Sequence, residues 1–254
     1  MKIEATFVVL ISAPFRLFCL QLTMSIPGLG WAPIKGTFQI GSKTLKIPMN
    51  VHKASREKLI AEMAKRGVTS GIVLLEGGKQ VNQYDTDTEL VFRQDSWFNF
   101  LFGVKESEFF GAIELDSGRC TLFMPRLPEE YRIWCGDIHP PAHFKTMYES
   151  DDVLFSDTLD QWLEKALAAS AGGVDAKIHV MDGVNSDSGL SAKPANFATK
   201  TELEKQGRGS TAHLFFALTT ARITKSPREL DCMWYSAWVA SQAHLEVMRH
   251  AQPG

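Results

Sequence analysis

The run Ile72-Val73-Leu74-Leu75, closed by Gly71 on one side and Gly77 on the other, constrains the fold more than any other stretch. Four consecutive apolar residues leave no polar face, so a strand made from them has to be covered on both sides, as in a sheet sandwiched by helices. Helical patterns flank it in the chain. Upstream, after the strand-like Thr44 to Ile47, Pro48 and Asn50 precede a helix whose Val51, Leu59, Ile60 and Met63 share a face. Lys53, Arg56, Glu57, Lys58, Glu62 and Lys65 mostly lie elsewhere, and Gly67 stops it. Downstream, Leu159, Trp162, Leu163, Ala166 and Leu167 recur at i, i+3, i+4, i+7 and i+8, Gly172-Gly173 ends the helix, and Lys177 to Met181 reads as the next strand. Alternating strands and helices predict an α/β fold, a mixed β-sheet covered by helices on both faces.

The stretch between these helices reads in short local units. Asp85 to Thr88 favours a tight loop because its short polar side chains bond their own backbone, and Leu90, Val91 and Phe92 suggest a short strand after it. Asp95 or Ser96 can cap a helix carrying Trp97, Phe98, Phe100, Leu101 and Phe102, which Gly103 ends in a left-handed conformation. Phe109 to Leu115 and Arg119 to Phe123 flank Asp116-Ser117-Gly118 as a β-hairpin. Pro128-Glu129-Glu130 suits a first helical turn, followed by a loop from Trp134 to His139, a helix from Pro141 to Tyr148, a strand at Val153 to Phe155 and a helix from Ser156. Asn185 to Gly209 is polar and reads as a long, mobile surface loop. His213 to Ile223 forms a helix, and Ser226-Pro227-Arg228-Glu229 is a capping box opening a long carboxy-terminal helix toward His250. That last helix is apolar on nearly all sides, which belongs inside a larger protein or an interface.

Of 254 residues, 44% are hydrophobic, enough for a sizeable core, and a net charge of -2 gives no electrostatic drive toward nucleic acid or an anionic membrane. Neither is expected as a partner. Cys19, Cys120, Cys135 and Cys232 form no CxxC pair and no Cys/His ligand spacing, which argues against a disulfide scaffold or structural zinc and fits a reducing, cytoplasmic setting. Residues 1–36 read as an unstructured extension or, alternatively, a targeting segment. The apolar run Phe7 to Ala13 falls well short of the ~20 residues a membrane helix needs, and Glu4 cancels Lys2 at the start.

Taken together, FQIGSKTLKIP from Phe38, IVLLEGG from Ile72, YDTDTELVFRQDSWFNFLFGV from Tyr84, TLFMPRLP from Thr121, IWCGDIH from Ile133, GVNSDSG from Gly183 and ITKSPREL from Ile223 resemble the amino-terminal domain of the prolidases, within the aminopeptidase P and creatinase group. The resemblance implies an aminopeptidase P-type amino-terminal domain over 37–225, with 226–254 as the first helix of a catalytic pita-bread domain that continues past this chain. It implies a metallopeptidase that cleaves Xaa-Pro dipeptides with two manganese ions held by two Asp, one His and two Glu. Those ligands would lie beyond residue 254, so no catalytic residue and no metal ligand is assigned here, and the chain alone is not expected to be catalytic. The implied partners are a second subunit in a homodimer or the missing catalytic domain. The alternative is a stand-alone, non-catalytic interaction module that regulates a full-length relative.

Two residues stand out as substrate-binding candidates. Trp134, in IWCGDIH, lies in a loop resembling the one by which prolidase subunits reach into the partner's active site and cover the dipeptide, although an indole filling its own core is the alternative. Arg93 could anchor a carboxylate through a bidentate fork, or pair structurally with Asp85, Asp87 or Asp95. His139 and His143 have the i, i+4 spacing of zinc-binding helices, but Pro140 and Pro141 break the helix that would align the rings. Cys135 with His139 lacks a third, orienting group for a nucleophile. Asn185 to Gly189 reads as a turn.

Overall fold

The computed structural model describes residues 3–8, 19–24, 37–39 and 43–252. Its residues form two compact units, one spanning Met49–Ser226 and one made of the described residues on either side of it. In the latter, β1 (Ile3–Val8) pairs antiparallel with β2 (Cys19–Met24), Val8 opposite Cys19. Strands therefore form inside the extension that the sequence suggests is unstructured, because pairing supplies each backbone with partners. β3 (Thr37–Phe38) pairs antiparallel with β4 (Ile47–Pro48). The Pro/Gly-rich stretch 26–36 lies outside the described residues.

The larger unit runs α1 (Asn50–Lys65), β5 (Ile72–Glu76), α2 (Ser96–Phe102), β6 (Phe110–Glu114), β7 (Cys120–Met124), α3 (Arg132–Cys135), α4 (Pro141–Tyr148), β8 (Asp152–Phe155), α5 (Leu159–Ala169), β9 (Ile178–His179), β10 (Gly183–Val184), β11 (Ser191–Ala192), α6 (Lys200–Lys205), β12 (Gly209–Ser210) and α7 (Leu214–Ile223). A six-stranded sheet forms in the order β12-β9-β5-β6-β7-β8. Only β6 runs against its neighbours; β5, β7, β8, β9 and β12 all point the same way.

The doubly covered strand is present at β5, with Ile72 to Leu75 all buried. Val73 and Leu75 pack among Leu59 and Met63 of α1, Phe98 and Phe102 of α2 and Leu218 of α7, while Ile72 and Leu74 face Leu159, Leu163 and Leu167 of α5 and Leu203 of α6. The sheet is thus a mixed α/β layer with helices on both faces. Asp95 caps α2 by accepting from the Trp97 and Phe98 amides at 2.9 Å each, and Gly103 closes it at φ +69°. A Cβ at Gly103 would meet the His52 ring at 2.3 Å, so the position demands glycine twice over. The hairpin at β6 and β7 turns through Gly118 at φ +71°.

Three expectations need correction. Leu90 to Phe92 form no strand: Leu90 and Val91 are exposed, and the loop closes on itself through an Asn82–Glu89 bridge and a hydrogen bond from the Leu90 amide to Val81. Arg56 is buried rather than on the polar side of α1, where its guanidinium donates to the Leu101 carbonyl at 2.9 Å, near the carboxyl end of α2. Residues 185–209 are not a free excursion. β10 and β11 pair, Ala195 and Leu203 are buried, and Glu76 and Asp160 accept from the Asn196 and Thr199 amides at 2.8 and 2.7 Å. A few apolar residues spaced through a polar segment found places on the α5 side of the sheet, which average composition does not register.

α8 (Pro227–His250), in the other unit, starts at the expected Pro and runs to the expected residue. Along it Leu230, Met233, Trp234, Val247 and Met248 are exposed.

His179 is the one buried histidine among the described core residues, 4% exposed, with no hydrogen-bond partner for Nδ1. Burial drives its pKa down to about 4, partly opposed by a hydrogen bond with the Ser70 backbone and reinforced by His213 and Lys177. A lowered histidine pKa means the unfolded chain binds more protons between the unfolded value near 6.5 and about 4. This part of the stability is full above that window and falls as pH drops through it. Denaturant unfolding at pH 7 and pH 4.5 should show a loss of up to about 1.4 kcal/mol per pH unit from this group. His179→Leu should flatten the slope.

Candidate functional site

Because five strands point one way, the segments following β5, β7, β8 and β9 leave the sheet at one end. In α/β sheets this carboxyl end is where ligand-binding loops gather. Two excursions there carry the candidate residues: 77–95 after β5, with Arg93, and 125–140 after β7, with Trp134.

The second excursion is a flap with a fixed root. Arg126, just after β7, donates to Asp157 through Nε at 2.6 Å and Nη2 at 3.3 Å, and its guanidinium lies 3.7 Å above the Phe155 ring. The Arg126 fork holds the Asp157 carboxyl below its ordinary range. Pro128 then leads into a 3-10 turn, Glu129–Tyr131, which continues directly into α3. Trp134 therefore sits in a one-turn helix and not in the loop expected from Trp134 to His139. The Pro128 start and the two acids of the first turn favour helix until Gly136 stops it at φ +76°, ψ -142°. Tyr131 and Ile133, on the same turn, are 47% and 79% exposed.

The far end of the flap is held by buried groups. Phe144 of α4 is buried edge-on against Phe109, with ring centroids 5.4 Å apart. Tyr148, also buried, donates from its hydroxyl to Glu106 at 2.5 Å and accepts from the Lys105 amide at 3.1 Å. Burial and the Glu106 carboxylate both raise the phenol pKa, so it stays a donor. His139 and His143 are brought together, but stacked face to face, with centroids 4.0 Å apart and planes 11° from parallel. Stacked rings aim their nitrogen lone pairs outward in parallel, not at a shared ion. Among the described residues no three His, Cys, Asp or Glu side chains gather around a point that could hold a metal. The described side chains do not fit a manganese pair.

On the first excursion, Arg93 is exposed, and among the described residues no acid lies within ion-pair distance of it. Asp95 is committed to capping α2. Beside Arg93, Gln94 holds the excursion to the domain. Its Oε1 accepts from the Gly78 amide at 2.6 Å, and its Nε2 donates to the Glu106 carbonyl at 2.9 Å and the Val104 carbonyl at 3.3 Å. The sequence reading does not single out Gln94, Arg126 or Tyr148, although Gln94 and Arg126 lie inside the motifs quoted above. Their partners, backbone groups for Gln94 and the Glu106 and Asp157 carboxylates for Tyr148 and Arg126, lie ten or more residues away along the chain, which no local pattern discloses. The remaining buried thiol, Cys120, is pushed up to about 11 by burial and is no nucleophile.

With this geometry in hand, comparison with known proteins gives one answer. Residues 52–174 match the family described as aminopeptidase P, N-terminal domain. Over these residues the chain carries an aminopeptidase P amino-terminal domain, similar to that of the prolidases. It is 36% identical over 220 residues to a Xaa-Pro dipeptidase of Pongo abelii and 34% identical over 220 residues to that of Homo sapiens, covering 86% of this chain and 42% of each relative. Among solved structures, Pseudomonas aeruginosa aminopeptidase PepP superposes with a TM-score of 0.59 at 24% identity, over 82% of this chain and 46% of that one, a likeness of fold. The chain thus spans less than half the length of these relatives.

Removing the Gln94 clasp tests whether the first excursion depends on it. Gln94→Ala leaves the Gly78 amide and the Glu106 carbonyl without partners, so denaturant unfolding should show a loss of about 1 to 3 kcal/mol. Gln94→Glu should retain the bond from Gly78 and lose those to the carbonyls, giving an intermediate loss.

Proposed function

We propose that this chain is the recognition and covering part of a Xaa-Pro dipeptidase, acting on dipeptides whose second residue is proline. In the complete protein, a pair of manganese ions held by residues outside this chain would activate water and stabilise the tetrahedral intermediate. The residues here bind and enclose. Trp134 lies over the dipeptide in a partner subunit of a homodimer and excludes water from it, while Arg93 offers a fork to a carboxylate. The observation that carries this reading is the flap itself. It is anchored at both ends, placed at the carboxyl end of the strands, and carries exposed apolar side chains on one helical turn. Among the described residues no helix is long and apolar enough to cross a membrane, and Cys120 and Cys232 are free thiols, which favours a cytoplasmic setting.

The 254-residue chain should release no proline from Gly-Pro with manganese present. Release above a no-protein blank, abolished by a chelator, would overturn the division of labour. In the complete enzyme, Trp134→Ala should lower activity on the order of 10- to 100-fold, the scale of losing a bound reactant's placement, and shift Tm by less than about 2 °C. A core indole would instead cost about 3 to 5 kcal/mol of stability. Mixed dimers separate cis from trans: a Trp134→Ala subunit paired with a metal-ligand-free subunit keeps one competent site, covered by the partner's normal tryptophan. That site should turn over at nearly the wild-type rate. A mixed dimer as slow as the Trp134→Ala homodimer places the residue in its own subunit.

A further inference from the structure

We propose that Arg132 is the latch of the flap, a positioning residue that holds the one-turn helix α3 closed on its Gly136 hinge by bridging Glu129 before it and Asp137 beyond it. The geometry is specific. Nη1 of Arg132 meets Glu129 Oε1 at 2.8 Å and Nη2 reaches Asp137 Oδ1 at 3.5 Å, so one planar guanidinium spans the whole turn and crosses the hinge. Gly136 adopts φ +76° and ψ -142°, a conformation open to glycine and strained for other residues, and a Cβ there would meet nothing within 4 Å. The hinge is therefore set by backbone freedom and not by packing.

A helical segment this short does not persist on its own, because nucleation fixes several backbone angles before the hydrogen bonds repay it. The 3-10 turn and α3 are closed by bonds from the Tyr131 amide to the Pro128 carbonyl at 3.0 Å and from the Gly136 amide to the Arg132 carbonyl at 3.1 Å. The described side chains of the turn gain no burial either: Tyr131, Arg132, Ile133, Gly136 and Asp137 are all exposed. The fixed neighbours are Arg126 at the root and Phe144 and Tyr148 on the far side. Between them, the Arg132 fork supplies the side-chain ties across the turn. Both ion pairs stand in solvent, with side chains half to more than four-fifths exposed. Such pairs are individually weak and are screened by salt. A flap held this way opens readily to admit a ligand and closes into one geometry, because the planar fork fixes direction as well as distance. The functional consequence rests on the covering role of Trp134; the latch itself does not.

The test is nitrogen-15 relaxation of the backbone amides in the 254-residue chain. At low salt the amides of 132–137 should approach the order parameters of α4. In Asp137→Asn, in Arg132→Ala, and in the unaltered chain at 1 M sodium chloride they should drop toward the flexible range, below about 0.6. The double variant should be no more mobile than Arg132→Ala, and salt should leave it unchanged. Amides of β7 and α4 report that the domain remains folded in each case. If 132–137 are already flexible in the unaltered chain at low salt, or if neither Asp137→Asn nor salt changes them, Arg132 is no latch. The mixed-dimer experiment on Trp134 reads a different quantity, turnover per site, so either claim can fail while the other stands.

Discussion

Everything in the larger unit follows from the need to cover β5 on both faces. Four adjacent apolar residues, none more than 3% exposed, each contribute about 1.5 to 3 kcal/mol on burial, and that burial requires a helical layer above and another below. α1, α2 and α7 provide one and α5 and α6 the other. Covering both faces in turn needs crossover connections, and crossovers make most of the strands parallel. Parallel strands deliver their following segments to the same end of the sheet. The gathering of the two candidate excursions there is thus a geometric consequence of how a wholly apolar strand is buried.

Above that rigid base, the ties grade from buried to exposed. Arg56 and Tyr148 satisfy backbone groups or a carboxylate from buried positions, and the partly buried Gln94 does the same at the base of its excursion; losing such a bond strands a desolvated partner. Arg126 with Asp157 and Arg132 with Glu129 and Asp137 lie in water, where the same chemistry fixes direction at little energetic cost to break. The ties are accordingly buried or partly buried at α4 and at the base of the first excursion, and exposed from the root of the flap to its tip. Under the proposed covering role, this distribution would let closure be repeatable and opening fast.

Much of this was legible in the order of residues. The doubly buried strand, the Asp95 cap and Gly103 stop of α2, the Gly118 hairpin, the 3.6-residue stripe of α5 and the Pro227 start of α8 are local signals: each depends on residues within a turn or two of one another. The motifs in IVLLEGG, FRQDSWFNFLFGV and IWCGDIH likewise pointed to the prolidase-type domain because they are contiguous strings. The failures share the opposite character. Leu90 to Phe92 have strand-forming composition, yet their loop is closed by Asn82 and Glu89 and held by Gln94, so propensity yielded to tertiary hydrogen bonds.

The sequence alone determined the fold class, the doubly covered strand and the domain family, because periodicity, caps and contiguous motifs are written in neighbouring residues. Only the tertiary structure decided that Arg56 lies inside, that 185–209 packs against the sheet, that Trp134 rides a one-turn helix, and that His139 and His143 stack without converging. Those outcomes depend on which distant carbonyl, carboxylate or ring each side chain meets once the chain has closed, and separation along the chain carries no record of that meeting.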